Sequence, residues 1–154
     1  CPALGSMVFL GAIVTDAPLS PIEHLPVQDV CTGCRRCEAA CPTKALHNGR
    51  LDPAKCRSAI TQKKGALTPF EETQIAKGAL AWGCDLCTLA CPHNAQLPLT
   101  HVKEFTDGIV PVLTEQNADA LLKNRAFAWR GKEVLLRNLR LLKTNSRKED
   151  LHDL

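Results

Sequence analysis

The sequence predicts an α+β, mostly helical fold organised around two groups of cysteines. Three observations carry that reading. Four cysteines fall within the eleven residues of "CTGCRRCEAAC", Cys31 to Cys41. A looser second copy, "WGCDLCTLACPHN", runs from Trp82 to Asn94. Around these groups the sequence carries helix-start signals and helical leucine spacing, and only one short apolar run, Met7 to Val14, reads as a strand.

The elements follow in order. Residues 1–30 read as a buried strand over Met7–Val14 and then a connector, "DAPLSPIEHLP", whose three prolines favour extended chain. A strand this near the first residue needs neighbours to pair with, so the chain reads as a piece of something larger. Residues 31–98 hold the cysteines. Within them Asp52 is a candidate N-cap with Pro53 at the first helical position, which predicts a helix carrying Cys56. Thr68 and Glu71 have capping-box spacing with Pro69 between them, which predicts a second helix. "QLPL" marks a boundary, after which residues 99–143 read as a helical extension, with Leu135, Leu139 and Leu142 on one face. Residues 144–154 are polar and read as a disordered tail.

Composition narrows the class. A chain of 154 residues is about one domain, and 45% apolar with 23% charged residues suffices for a core. Aromatic residues are only 4%, with no tyrosine, so the core must rest on Leu, Ile, Val and Ala. A net charge of +3 excludes neither nucleic acid nor a neutral partner. No apolar run is long enough for a membrane span, and the N-terminal segment lacks the basic region and cleavage site of a signal peptide. These features predict a cytoplasmic protein without membrane contact, in which nine cysteines serve metal or redox chemistry.

The spacing specifies which chemistry. Cys31, Cys34 and Cys37 are separated by two residues each, Cys41 follows after three, and Pro42 comes next. This matches the run of bacterial two-cluster ferredoxins, in which the fourth cysteine ligates the other cluster. The second copy keeps Cys84, Cys87, Cys91 and Pro92 but lacks a cysteine three residues before Cys84. Cys56 fills that role across an insertion of 27 residues. The crossed rule then yields two complete sets: Cys31, Cys34, Cys37 and Cys91 for cluster one, and Cys41, Cys56, Cys84 and Cys87 for cluster two. Cys1 is left over as an inert thiol. Two [4Fe-4S] clusters are expected in a dicluster, ferredoxin-like domain. Two four-cysteine zinc sites could use the same residues, but they explain neither the tight third cysteine nor the paired Cys-Pro ends. A disulfide framework does not suit the compartment. Filled clusters of this kind relay single electrons and leave no iron open to substrate.

The words around the cysteines carry a resemblance. "GSMVFLGAIVTDAPL", "CTGCRRCEAACPTKAL", "LDPAKCRSAITQKKG", "WGCDLCTLACPHN" and "LLRNLRLL" follow one another. Together they resemble the C-terminal half of epoxyqueuosine reductase, a cobalamin-dependent family that completes queuosine in tRNA. The resemblance runs from Gly5 to about Lys143. It implies an oxidoreductase in which cluster two feeds electrons to a corrinoid held mainly by an N-terminal half. Residues 1–30 would then be the remnant of that half, and the chain alone would be inactive, with no catalytic residue of its own. Further implied are an external donor, such as flavodoxin or ferredoxin, and a tRNA carrying epoxyqueuosine. Ser58 and Asp85 match positions facing the cobalamin; a helix-surface serine and a loop-capping aspartate would look the same. Lys64 matches a segment near the tRNA, where a solvated lysine is the plain alternative.

The basic C-terminal stretch points the same way independently. Residues 119–148 hold nine Lys or Arg against two acids. Arg125, Arg130, Lys132, Arg137 and Arg140 suit phosphate contacts, although a solvated helix face has the same composition. Two other functions stay open, a stand-alone ferredoxin-type carrier and the relay domain of another corrinoid enzyme such as a reductive dehalogenase.

Overall fold

The computed structural model describes residues 5–20, 31, 33–123 and 125–149, the last five as backbone only. Cys1, the connector beyond Ser20 and the final residues 150–154 lie outside the described residues.

The first cysteine run turns into α1 (Arg36–Ala40), which ends at Cys41. A small antiparallel hairpin follows, β1 (Leu46–His47) and β2 (Arg50–Leu51), with Leu46 opposite Leu51 and His47 opposite Arg50. Its turn is Asn48-Gly49, both at positive φ (49° and 70°). That left-handed pair matches the twist of adjacent strands and is the favoured chemistry for a two-residue hairpin. Glu38 of α1 accepts the Gly49 N–H at 3.1 Å and ties the hairpin to the helix.

The helix expected from Asp52 begins later than predicted. Asp52 does cap locally, its carboxylate accepting the Ala54 N–H at 3.0 Å. However, the chain makes only a turn there, with Lys55 N–H bonding Asp52 C=O and Cys56 N–H bonding Pro53 C=O. α2 runs Arg57–Gln62, and Cys56 is its extended N-cap residue. Cys56 therefore sits at a helix entrance, where its side chain is aimed by non-helical backbone.

α3 (Pro69–Ala76) begins as the sequence requires. Thr68 Oγ1 accepts the Glu71 N–H, Glu71 accepts the Thr68 N–H, and Pro69 takes the first helical position. α4 (Leu86–Leu89) lies in the second cysteine run. Beyond it, residues 95–117 are largely irregular apart from a 3-10 turn at Lys103–Phe105. α5 (Ala118–Leu122) and a 3-10 turn at Ala126–Arg130 lead into α6 (Lys132–Glu149). α6 thus continues past Lys143 into the stretch expected to be a tail.

The core forms where α2, α3, α5 and α6 meet. Ile60, Ile75, Ala118, Val134, Leu135 and Leu139 are buried there, and Leu142 is half-buried on the predicted stripe. Burial of the isoleucine, valine and leucine side chains stabilises by roughly 1.5–3 kcal/mol each. The same core contains polar groups. Asn138 is 0% exposed, and its Nδ2 donates to Thr61 C=O (2.7 Å) and Ala81 C=O (2.8 Å). Its Oδ1 accepts from Arg137 Nε and Nη2 at 3.1 and 3.0 Å. α6 is thereby fastened to the end of α2 and to the loop that leads into Cys84.

The predicted N-terminal strand does not form. Residues 5–20 are irregular, and Phe9 and Val14 are 92% and 99% exposed. A strand needs a neighbour to satisfy its backbone N–H and C=O groups. Among the described residues the only ladder is β1 with β2. The segment is held at its start instead. Asn94 Oδ1 accepts the Ser6 N–H at 2.8 Å and Asn94 Nδ2 donates to Ser6 Oγ at 2.9 Å. Gly5, at φ 64°, permits this approach, since a Cβ there would meet Asn94 Oδ1 at 1.9 Å.

Candidate metal centre

The two cysteine runs fold as copies. Gly33-Cys34, Cys37 and Cys41-Pro42 recur fifty residues later as Gly83-Cys84, Cys87 and Cys91-Pro92. Gly33 and Gly83 both adopt φ 78°, a left-handed step that turns the chain into the loop holding each pair of thiols. The second thiol of each pair, Cys37 or Cys87, lies in the first turn of a short helix, α1 or α4, and each helix is followed by the cysteine before proline. α1 and α4 pack on one another.

This packing sorts the cysteines. One cavity is lined by Cys31, Cys34, Cys37 and Cys91 together with Pro92 and His93. A second is lined by Cys41, Cys56, Cys84 and Cys87 together with Pro42 and Arg57. Cradle one therefore takes three cysteines of the first run and the pre-proline cysteine of the second, and cradle two takes two of the second run, the pre-proline cysteine of the first, and Cys56 from the entrance of α2. The cause is the helix in each copy, which carries its last cysteine away from its first ones and toward the partner loop.

The cradles differ in environment. Cys31 and Cys34 are exposed, so cradle one opens to solvent. Cys41 is buried at 8% exposure, and leucines 46, 51 and 86 help to line cradle two. Burial pushes the Cys41 thiol up, but hydrogen bonds outweigh it and hold the group below its ordinary value of 9.0. They come from the Thr43 hydroxyl and the backbone N–H groups of Ala45, Leu46 and Thr43. The Ala45 N–H lies 3.2 Å from the sulfur and the Thr43 hydroxyl 3.5 Å. Donors aimed at sulfur favour a thiolate, the form that binds metal.

The donor sets fit iron–sulfur clusters. Eight cysteines, none in a disulfide, are present among the described residues, four to each cradle. Among the same residues, no three Cys, His, Asp or Glu side chains converge closely enough to hold a single metal ion. All-thiolate wrapping with N–H groups directed at sulfur is the environment in which [4Fe-4S] clusters are held.

Cradle two is assembled across the 27-residue insertion by buried polar contacts. Thr61 is 0% exposed; its Oγ1 donates to Ser58 C=O at 2.8 Å and accepts the Gly83 N–H at 2.9 Å. α2 is thus pinned to the residue before Cys84, and Asn138 closes the same junction from α6. Neither residue was singled out from the sequence. For Asn138 a signal existed, because it falls on the buried stripe with Leu135 and Leu142.

The remaining candidates are placed as follows. Ser58 is half-buried on α2, its Oγ accepting from Gln62 Nε2 at 3.2 Å. Asp85 is exposed at the N-cap of α4, and its side chain makes no capping hydrogen bond. Both flank cysteines of cradle two without lining it. Lys64 is exposed in the loop after α2. Arg140 is exposed on α6. Arg137 turns inward, Nη1 donating to Lys63 C=O (2.9 Å) and Gly65 C=O (3.0 Å). Burial lowers its pKa, with Glu71 and Glu72 opposing that shift. Arg125 donates to Gly108 C=O. Arg130 stacks on Trp129, its guanidinium carbon 3.7 Å from the ring centroid. Lys132 pairs with Asp119 at 2.6 Å. The basic stretch is thus partly committed to holding the fold.

Two cradles of four cysteines each, built from two copies of one loop with Cys56 added from the entrance of α2, define an iron–sulfur protein of the double-cluster class. Residues 30–94 match the family model for a 4Fe-4S double cluster binding domain. The wider chain is similar to epoxyqueuosine reductase of Bacillus cereus, 37% identical over 147 residues, covering 89% of this chain and 38% of the relative. Among solved structures, epoxyqueuosine reductase from Bacillus subtilis superposes with a TM-score of 0.60 at 29% identity, covering 83% of this chain and 36% of that one. An epoxyqueuosine reductase crystallised with an epoxyqueuosine-modified tRNA-Tyr stem loop superposes at 0.62 and 29% identity, over 79% of this chain and 35% of that one. The chain is a homologue of the epoxyqueuosine reductases, and it spans about 38% of the length of the curated relatives it matches. Among the described residues no helix is long and apolar enough to cross a membrane.

Proposed function

We propose that this chain is the electron-relay portion of an epoxyqueuosine reductase-like oxidoreductase. The observation that carries the reading is the crossed sorting of eight cysteines into two cradles. In it, Cys31, Cys34, Cys37 and Cys91 hold cluster one, and Cys41, Cys56, Cys84 and Cys87 hold cluster two. When bound, such clusters accept and release single electrons without bond chemistry of their own. The residues supply the thiolates, the N–H groups that stabilise them, and a shared scaffold that keeps the two sites adjacent.

The two cradles have distinct parts in this proposal. Cradle one, with its exposed Cys31 and Cys34, is where an external flavodoxin- or ferredoxin-type donor delivers electrons. Arg35 and Arg36 are exposed on its rim and suit an acidic carrier. Cradle two, enclosed and flanked by Ser58 and Asp85, faces a cobalamin held mainly by a separate N-terminal portion. There the corrinoid serves reduction of epoxyqueuosine to queuosine in tRNA. Lys64 and Arg140 are the exposed cations for RNA phosphate, while Arg125, Arg130 and Arg137 shape the surface behind them. Residues 31–98 form the cluster domain, its helical extension runs from residue 99 to the end of α6 at Glu149, and the setting is cytoplasmic.

The test has two stages. Anaerobically reconstituted protein should be brown and bind about eight irons and about eight sulfides per chain. A colourless protein with two zinc ions rejects the cluster reading. Reduced protein, cobalamin and epoxyqueuosine-tRNA are then combined with and without an N-terminal half from a homologue. Turnover only in the complemented mixture is expected. Inactivity there, with clusters that cycle normally, favours a stand-alone ferredoxin-type carrier.

A further inference from the structure

Arg57 stands in an unusual position. It follows Cys56 directly and lines cradle two beside the four thiols. Its Nε–H is buried and has no acceptor among the described residues. The ion pairs among those residues leave it without a carboxylate. Its Cδ lies against the turn after α3, since a Cβ on Gly78 would stand 3.5 Å from it. Arg57 as a whole is half-buried, but its Nε–H is withdrawn from water, and an unpaired donor there is costly unless an anion meets it. Cradle two is built to hold one.

We propose that Arg57 donates its Nε–H to the sulfur of the cluster in cradle two and sets that cluster's reduction potential. This rests on the two-cluster reading above. Guanidinium cannot be deprotonated in a protein, so its charge is permanent. One-electron reduction adds one negative charge to an already anionic thiolate-bound cluster. A fixed neighbouring cation stabilises the reduced form more than the oxidised form and raises the potential. Screening is weakest on the side of buried Cys41, although Leu51 and Leu86 on the opposite lining are themselves exposed. Cradle one is different, because its arginines, Arg35 and Arg36, are exposed and screened by solvent. The result is a downhill bias, electrons entering at the open cradle and collecting in the enclosed one.

EPR-monitored redox titration of the protein with both clusters bound tests this. Arg57→Gln should lower the reduced-to-oxidised ratio of cluster two at fixed potential at least about tenfold, about 59 mV for a one-electron couple. Cluster one should not move. Arg57→Lys, which keeps the charge, should recover most of the loss. An unmoved cluster two, or equal shifts in both clusters, overturns the proposal. Should Arg57→Gln fail to retain cluster two, the wild-type protein decides. With 15N-labelled arginine, pulsed EPR of reduced cluster two should show a nitrogen coupling, and its absence overturns the contact. Iron content separates the levels, because fewer than about eight irons in the wild type rejects the two-cluster reading itself.

Discussion

Replacing Asn138 with leucine should loosen the whole cluster-two side of the molecule. The side chain is fully buried and satisfies two backbone carbonyls, Thr61 at 2.7 Å and Ala81 at 2.8 Å. Leucine is of similar size, so the change removes hydrogen bonds without opening a large cavity. A buried acceptor left unpaired costs about 1–3 kcal/mol. The Thr61 carbonyl bears that cost in full, whereas half-buried Ala81 can recruit water and bears less. Arg137 is also half-buried and can rehydrate. The expected loss is therefore about 2–4 kcal/mol. For a chain of this size about 2–4 °C follows each kcal/mol, which predicts a fall in Tm of about 4–16 °C. The assay is calorimetry at matched scan rates, because cluster proteins unfold irreversibly, with Arg140→Ala as an exposed control expected to stay within about 0.5 kcal/mol. Visible absorption should show cluster two bleaching first, since the same bonds hold the Cys84 loop to α2. A Tm within about 1 °C of wild type, with unchanged bleaching, would refute the argument that this asparagine clamps the junction.

Three further outcomes are expected. Cys56→Ala should halve the iron and remove one cluster signal while the other keeps its EPR spectrum; unchanged iron shows that Cys56 is not a ligand. Glu71 is held below its ordinary value of 4.5 first by the hydrogen bond from Lys63, 2.8 Å away, and then by the Thr68 N–H. A carboxyl so depressed contributes stability that is present above pH 4.5 and lost as pH falls through its lower folded value. The stability gap between wild type and Lys63→Met should accordingly shrink on acidification through that range, and a pH-independent gap counts against the pair. Gly5→Ala should destabilise by more than about 1 kcal/mol, because φ 64° and Asn94 Oδ1 at 1.9 Å both exclude a Cβ. Denaturant midpoints check this, and a neutral effect contradicts the anchoring of residues 5 and 6.

Much of the site was legible because its information is local. Thiols two and three residues apart can wrap only what a short loop can reach, so the spacing marked the two runs, while Cys56 was placed by elimination and the division by the crossed rule of two-cluster ferredoxins; the two cavities group the eight cysteines in the same way. The capping box at Thr68 and the leucine stripe of α6 were legible for the same reason, since both depend on contacts three or four residues apart. The Asn48-Gly49 hairpin carried an equally local signal that went unread. Where the sequence misled, distant partners were decisive. Met7–Val14 has strand composition, yet no strand lies beside it among the described residues, and composition cannot supply ladder hydrogen bonds. Cys56 was placed inside a helix by Asp52 and Pro53, but the turn they make ends there and α2 starts one residue later.

What the sequence by itself determined is local: two cysteine runs with matching spacing, and the capping box and leucine stripe of the helices around them. What only the tertiary structure decided is their setting. It left Cys31 and Cys34 in solvent, buried Cys41, committed Arg137 to backbone carbonyls and brought Arg57 to cradle two with an Nε–H that has no acceptor among the described residues. The physical reason is range. Ligand spacing is a property of a few consecutive bonds, whereas burial and pairing depend on groups such as Asn138 and Thr61, 77 residues apart, meeting in one core.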